Sequence, residues 1–147
     1  MSVEHSKLMA SPCLCNTLRQ ASRAVSRLYD DELRGVGLRT TQYSLLRYLK
    51  HCGEVRQRDL GALTSLDETT LTRNLRPLID AGWVAFAVGE DRREKLVRLT
   101  GAGAVKLREA SLPWERAQER MRSRLPKTEW SNLLAVLPEV ARAADEA

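Results

Sequence analysis

Between Asp67 and Thr100 the chain carries a pattern that leaves few folds open: a capped helix with a single leucine face, a glycine stop, and two β-prone runs joined by a charged loop. The Asp67 carboxylate can accept from the free N–H groups two or three residues on, and its charge favours the positive helix end, so a helix starts there. Leu71, Leu75 and Leu78 follow at steps of four and three and share one face, which points into a core. The opposite face keeps Thr69, Thr72, Arg73 and Arg76, whose hydroxyls and guanidiniums are groups that bond phosphate oxygens and base edges. Pro77 lacks an N–H and crowds the carbonyl of Arg73, which predicts a kink or a widened last turn. Gly82 supplies the positive φ that ends such a helix.

The run from Trp83 to Val88 is apolar and β-prone, and Lys95 to Thr100 alternates in character, so the six residues between them read as a hairpin loop. Arg92 and Arg93 sit near its tip. Charged loops are usually only solvated; this one follows a helix with a basic outer face, and a tip standing off the body can reach a minor groove, whose negative potential attracts arginine.

The rest of the chain reads as helices. Ser11 followed by Pro12 is a helix opening. Leu14, Leu18, Ala21, Val25 and Leu28 recur at alternating steps of four and three, a heptad-like seam that wants a partner. Gly35 and Gly37 interrupt it, and Thr40 or Thr41 then caps a helix carrying Tyr43, Leu45, Leu46, Tyr48 and Leu49, closed by Gly53. Arg56 to Leu63 makes a short helix, and the turn Thr64-Ser65-Leu66 joins it to the helix opened by Asp67, which completes a helix-turn-helix. Past the hairpin, Thr100-Gly101 opens a long helix bent at Pro113. A last helix from about Pro126 carries Trp130, Leu133, Leu134, Leu137 and Val140. The terminal helices hold more apolar surface than a small core can cover, which predicts a dimer with interleaved ends.

One domain over 1–147 fits the length, and 43% apolar with 29% charged residues is ordinary for a globular protein rather than a disordered or membrane one. No apolar run is long enough to span a bilayer and the N-terminus lacks the order of a signal peptide, so the expected setting is cytoplasmic. The net charge of +5 is uneven. Residues 1–55 carry +3 and residues 56–108 carry +3, whereas 109–147 carry −1. The part holding the polar helix face and the hairpin is thus basic, which favours a polyanionic partner.

This order of elements resembles the MarR family of bacterial transcription regulators. The resemblance covers nearly the whole chain and is carried by Leu66-Asp67-Glu68-Thr69-Thr70-Leu71-Thr72-Arg73, by Leu78 and Gly82-Trp83-Val84, by Asp91-Arg92-Arg93, and by Val97-Arg98-Leu99-Thr100-Gly101-Ala102-Gly103. It implies a mainly α fold with a small β-hairpin wing: a winged helix-turn-helix at 40–100, with dimerisation helices at 11–36 and 101–147. It further implies a homodimer on double-stranded DNA at a pseudo-palindromic operator, a repressor released by a small ligand or a thiol reaction. The family's reading positions fall on Thr69, Thr70, Thr72, Arg73 and Arg76 and its wing arginine on Arg92, with Arg93 beside it, while Asp91 corresponds to a residue that braces the wing through an arginine. Arg56, opening the short helix, is a candidate phosphate contact. The chain departs from the family where Gly61 replaces the usual alanine, where Thr64-Ser65 replaces Leu-Gly, and where the wing is about one residue short.

Three cysteines, Cys13, Cys15 and Cys52, argue by their odd number against a disulfide framework. With Ser11 as cap, Cys13 would lie in the first helical turn, where the helix end favours a thiolate, and becomes a candidate redox sensor. Cys13 and Cys15 would then face opposite sides, which makes a bridge between subunits easier than a local one. Buried free thiols are otherwise plain small hydrophobes. A metal site would need His5, His51 and the cysteines to gather, with no CxxC or HxxxH spacing to assist, so no metal and no cofactor is expected. An aromatic organic ligand, as is frequent in the family, would find Tyr43, Trp114 and Met121 as candidate lining, against the simpler reading of core packing. No histidine partners a nucleophile, and neither a phosphate loop nor paired metal carboxylates are present, which excludes the common enzyme classes. The alternative is a thiol-based redox or metal sensor working through protein partners rather than DNA.

Overall fold

The computed structural model describes residues 12–147. Its first helix, α1 (Leu14–Leu33), runs into a 3-10 turn at Arg34–Val36, and Gly37 at φ 75° reverses the chain. The helix α2 (Thr40–Cys52) follows, then a short strand β1 (Val55–Arg56) and the helix α3 (Gln57–Thr64). Next come α4 (Glu68–Asp80) and the hairpin strands β2 (Val84–Val88) and β3 (Lys95–Leu99). Three helices close the chain: α5 (Gly101–Glu109), α6 (Ser111–Arg122) and α7 (Lys127–Glu146).

The core lies where α2, α3, α4 and the sheet meet. Leu45, Leu46 and Leu49 of α2, Leu60 of α3, and Leu71, Leu75 and Leu78 of α4 are all at most 2% exposed. Each such leucine contributes about 1.5–3 kcal/mol on burial, so the three of α4 alone hold that helix to the body firmly enough to fix which face turns outward. Despite Pro77, α4 continues to Asp80, and Gly82 at φ 79° ends it as its sequence position requires.

The wing is a three-stranded antiparallel sheet in the order β1-β3-β2. Val84 pairs with Leu99, Phe86 with Val97 and Val88 with Lys95, while Val55 pairs with Val97 from the other side. The hairpin and its six-residue loop fall where the sequence places them. The third strand is an addition, because Arg56 belongs to β1 and α3 begins one residue later. Thr100 joins wing to helix: its hydroxyl donates to the Gly82 carbonyl at 2.6 Å and accepts from the Gly103 N–H at 3.0 Å.

Three expectations are corrected. Ser11 lies outside the described residues, and α1 opens at Leu14 with Cys13 as its cap in an extended conformation (φ −86°, ψ 119°); Cys13 therefore precedes the first turn. Arg39, not Thr40 or Thr41, caps α2, because Asp30 supplies the acceptor for the Thr40 N–H at 2.7 Å and the Gln42 side chain accepts from Arg39 N–H at 2.9 Å. The long helix after the wing breaks at the fully buried Ala110 rather than bending at Pro113. Pro113 occupies the first turn of α6, where a missing N–H costs least.

Candidate nucleic-acid interface

The outward face of α4 follows from its buried one. With Leu71, Leu75 and Leu78 inside, Thr69, Thr72, Arg73 and Arg76 are exposed, and with Glu68, Pro77 and Asp80 they line a shallow depression of about 720 Å³. Neither Arg73 nor Arg76 pairs with a carboxylate among the described residues, so both guanidiniums keep their donors for an outside acceptor. Thr70 is different. It is half-buried, its N–H donates to Asp67 Oδ1 at 2.8 Å, and its hydroxyl serves the same carboxylate. Those bonds, the backbone one foremost, hold the Asp67 carboxyl below its ordinary value. Thr70 is accordingly part of the helix cap rather than of the outward face.

A second groove, of about 970 Å³, runs between α3, the start of α4 and the wing. Arg56, Arg58, Arg93 and Lys95 line it together with Asp67, Glu68, Asp91 and Glu94, and Asp145 near the end of α7 lies at its edge, so its walls are of mixed charge. Arg56 is half-exposed and pairs with Glu94 at 3.5 Å across the sheet. On the wing tip Arg92 and Arg93 are exposed, with no carboxylate partner among the described residues. Asp91 is also exposed, and it folds the tip without a guanidinium: its carboxylate accepts from the Arg93 N–H at 3.1 Å and its carbonyl from the Glu94 N–H at 2.9 Å. The expected brace through an arginine is thus replaced by a backbone turn, and the cross-sheet ion pair belongs to Glu94.

Sequence reasoning missed Gln57 and Glu94. Gln57 donates from Nε2 to Thr72 Oγ1 at 3.1 Å, while its Oε1 is shielded with no hydrogen-bond partner. The one signal for it is its place at the start of the first helix of a helix-turn-helix, which crosses the second. Glu94 had the signal of sitting opposite the β1 edge, visible only once β1 is known to be a strand.

The candidate sensor residues do not form one cluster. Cys13, Cys15 and Cys52 are exposed free thiols. Tyr43 is buried in the core and stacks on the half-buried Trp114 at 5.9 Å between centroids, and the Arg47 guanidinium lies 4.5 Å from the centroid of the Trp114 ring. Burial raises the Tyr43 phenol, against the lowering pull of Arg47. Met121, half-buried, lies two turns beyond Trp114 on α6. No group of three or more His, Cys, Asp or Glu gathers as a metal site among the described residues, and no helix there is long and apolar enough to cross a membrane.

A family model described as MarR family matches residues 36–94, the span from the turn before α2 to the wing tip. The uncharacterised HTH-type transcriptional regulator YwoH of Bacillus subtilis (strain 168) is 30% identical over 108 residues, 74% of this chain and 79% of that protein. The structure of the M. tuberculosis transcriptional regulator MosR in complex with DNA is similar at a TM-score of 0.84 and 30% identity, over 92% of this chain and 98% of that one. A mutant MarR of E. coli complexed with operator DNA shares the fold at a TM-score of 0.78 and 24% identity, over 86% of this chain and 92% of its own. The winged helix-turn-helix and its flanking helices are therefore those of known regulators, and the chain belongs to the MarR family of transcriptional regulators.

Proposed function

We propose that this regulator is a cytoplasmic, sequence-specific DNA-binding homodimer that acts on a pseudo-palindromic operator, as a repressor. The observation that carries this reading is the outward row of Thr69, Thr72, Arg73 and Arg76 on α4, held rigidly by three buried leucines, with Arg92 and Arg93 free on the wing. The helix enters a major groove and the wing arginines the flanking minor groove. Arg56 exchanges Glu94 for a phosphate, an easy trade because an exposed ion pair is worth only about 0–1 kcal/mol. The domain division follows: residues 40–100 read DNA, and the terminal helices dimerise. MosR and MarR relatives that have been solved on DNA support the partner class.

The test is selection of bound duplexes from a random DNA library followed by binding titrations. A sequence preference with a steep salt dependence is expected. Arg73→Ala should cost about 1–3 kcal/mol and relax the preference at one base position, while Arg92→Ala should weaken all sequences with little change in major-groove preference. Equal affinity for selected and scrambled duplexes in the wild type would reject the reading.

For release, the exposure of Cys13 and Cys15 favours thiol oxidation over an aromatic ligand at Tyr43, whose ring is already packed. Because Cys13 precedes the helix in an extended conformation, its side chain is not bound to the helical side opposite Cys15. Peroxide should lower operator affinity of the wild type and leave a Cys13→Ser, Cys15→Ser protein bound. Release of that double variant by peroxide would remove these thiols as the switch.

A further inference from the structure

We propose that Lys106 is a positioning residue for binding at paired half-sites: it pins together the two junctions between the DNA-reading unit and the terminal helices, and so sets which separation of half-sites the protein accepts. The inference rests on the reading of the chain as a dimer on a paired operator and adds the residue that holds the spacing.

The terminal helices α1 and α6 are bound to each other through Glu32, which takes Arg116 at 3.0 Å and Arg120 at 3.1 Å, and through Tyr29 and Gln118, so they form one arm. α5, although it follows the wing, is seated on the reading unit: Gly103 lies against the Trp83 carbonyl and Leu107 packs on the core. The arm therefore joins the reading unit at two places, the turn from Arg34 to Arg39 and the break at Ala110. Among the described residues, Lys106 is the one that hydrogen-bonds to both. Its carbonyl accepts from the Ala110 N–H at 3.1 Å, and its Nζ donates to the Val36 carbonyl at 3.1 Å.

The surroundings of Nζ suit an ammonium. A lysine usually carries its charged head into water, yet the Lys106 side chain is only 21% exposed, with Glu109 Oε2 at 2.9 Å and the Trp83 ring centroid at 5.2 Å from Nζ. A carbonyl, a carboxylate and an aromatic face are the groups that offset the desolvation of a cation. Through Trp83, which precedes β2, the same ammonium touches the root of the wing. Other contacts between arm and reading unit engage one junction each: Asp30 accepts from the Thr40 N–H at 2.7 Å beside the first, and Tyr43 stacks on Trp114 beyond the second. Without the Lys106 link each junction keeps its own contact, but the two are no longer tied to one another. The reading unit can then rock on the arm, as packed elements do about a hinge, and in a dimer that motion changes the distance and the rotational phase of the two α4 helices.

The experiment uses the full-length protein and duplexes that carry the selected half-site either once or twice, the separation of the pair being varied in single base-pair steps, with thermal melts of each variant. The wild type should prefer one separation, because each added base pair turns the second half-site by roughly 35°. Lys106→Met keeps the stem and loses the ammonium. It should lower affinity for the best pair by about 10-fold, the worth of one hydrogen bond to a charged group, flatten the separation profile, and leave binding to a single half-site unchanged. Lys106→Arg retains a cation for the Val36 carbonyl and the Trp83 face and should keep the wild-type profile. Lys106→Gln, whose amide ends one bond short of that carbonyl, should flatten the profile as methionine does, and carries the test if Lys106→Met does not fold. The inference is overturned if the methionine and glutamine variants keep the wild-type profile, or if they weaken single and paired sites by the same factor, which is what a destabilised reading unit gives. A wild type that binds a pair no better than a single half-site at every separation rejects the paired-operator reading itself, a failure seen in the unmutated protein and so distinct from failure of the Lys106 link.

Discussion

Ser65 adopts φ 56°, ψ 33°, the left-handed conformation, at the end of α3. A side chain there costs about 1–2 kcal/mol relative to glycine, offset in part by the larger unfolded-state freedom of glycine. Ser65→Gly should therefore stabilise the protein by a net of about 0.5–1 kcal/mol, read as a higher urea midpoint with unchanged slope; a loss of stability would mean that the Ser65 side chain has a favourable role. The neighbouring Asp67 makes a pH-dependent contribution. Its carboxyl is held below 3.8, first by the Thr70 N–H and then by the Thr70 hydroxyl. A carboxyl depressed in the folded state stabilises above its unfolded value and loses that stabilisation as pH falls through the folded one. The wild type should thus exceed Asp67→Asn in stability at neutral pH, and the gap should close on the acid side of 3.8. A gap independent of pH in paired urea titrations would refute this. The cap was legible because one residue type at one offset suffices to recognise it. Thr70 and Gln57 were not, since their roles depend on which neighbours the fold brings up.

Among the elements, the joint between wing and α5 is the most sharply constrained. A Cβ on Gly103 would lie 2.7 Å from Leu99 Cδ1 and 2.9 Å from the Trp83 carbonyl carbon. The second of these is backbone, held in turn by the Thr100 N–H, which donates to the Trp83 carbonyl at 3.0 Å. Gly103→Ala should cost at least about 1–3 kcal/mol, and should loosen β2 and β3 before the α4 core in hydrogen exchange. Uniform loss of protection would instead point to global destabilisation. The hairpin was readable in the sequence because five-residue strands with alternating partners leave a periodic trace. The two-residue β1 leaves none, and its residues are told apart from a helix start only by pairing with β3. The break at Ala110 was obscured for a related reason: Pro113 is the conspicuous residue, yet proline is tolerated in a first turn, so the actual end of α5 falls at a small buried alanine that carries no signal.

Across the whole molecule the terminal helices remain short of partners. α1 is tied to α6 by Glu32, which binds Arg116 at 3.0 Å and Arg120 at 3.1 Å, and by a hydrogen bond from Tyr29 to Gln118. Among the described residues α7 makes no ion pair or hydrogen bond to another helix and is held to α6 by Arg122 lying 5.3 Å over its Trp130 ring; no residue of it is buried, and Leu133, Leu134, Val136 and Leu137 are each at least 40% exposed. An apolar stripe along a 20-residue helix is too extensive to remain in water when a second copy can cover it. Two reading helices fixed in one frame gain affinity beyond either alone, by about 10²–10⁴-fold when both half-sites are engaged. Leu133→Glu combined with Leu137→Glu should therefore give a folded monomer by light scattering, with the α4 core intact by hydrogen exchange. Operator affinity should fall by an amount in that range, and moving the half-sites apart by half a helical turn should penalise the wild type but not the variant. The spacing experiment separates avidity from simple damage, because only a protein that bridges both half-sites responds to their separation, whereas a damaged protein that is still a dimer would bind more weakly and keep that response. A double variant that stays dimeric, or that keeps the spacing dependence of the wild type, would place the subunit contact elsewhere than on α7.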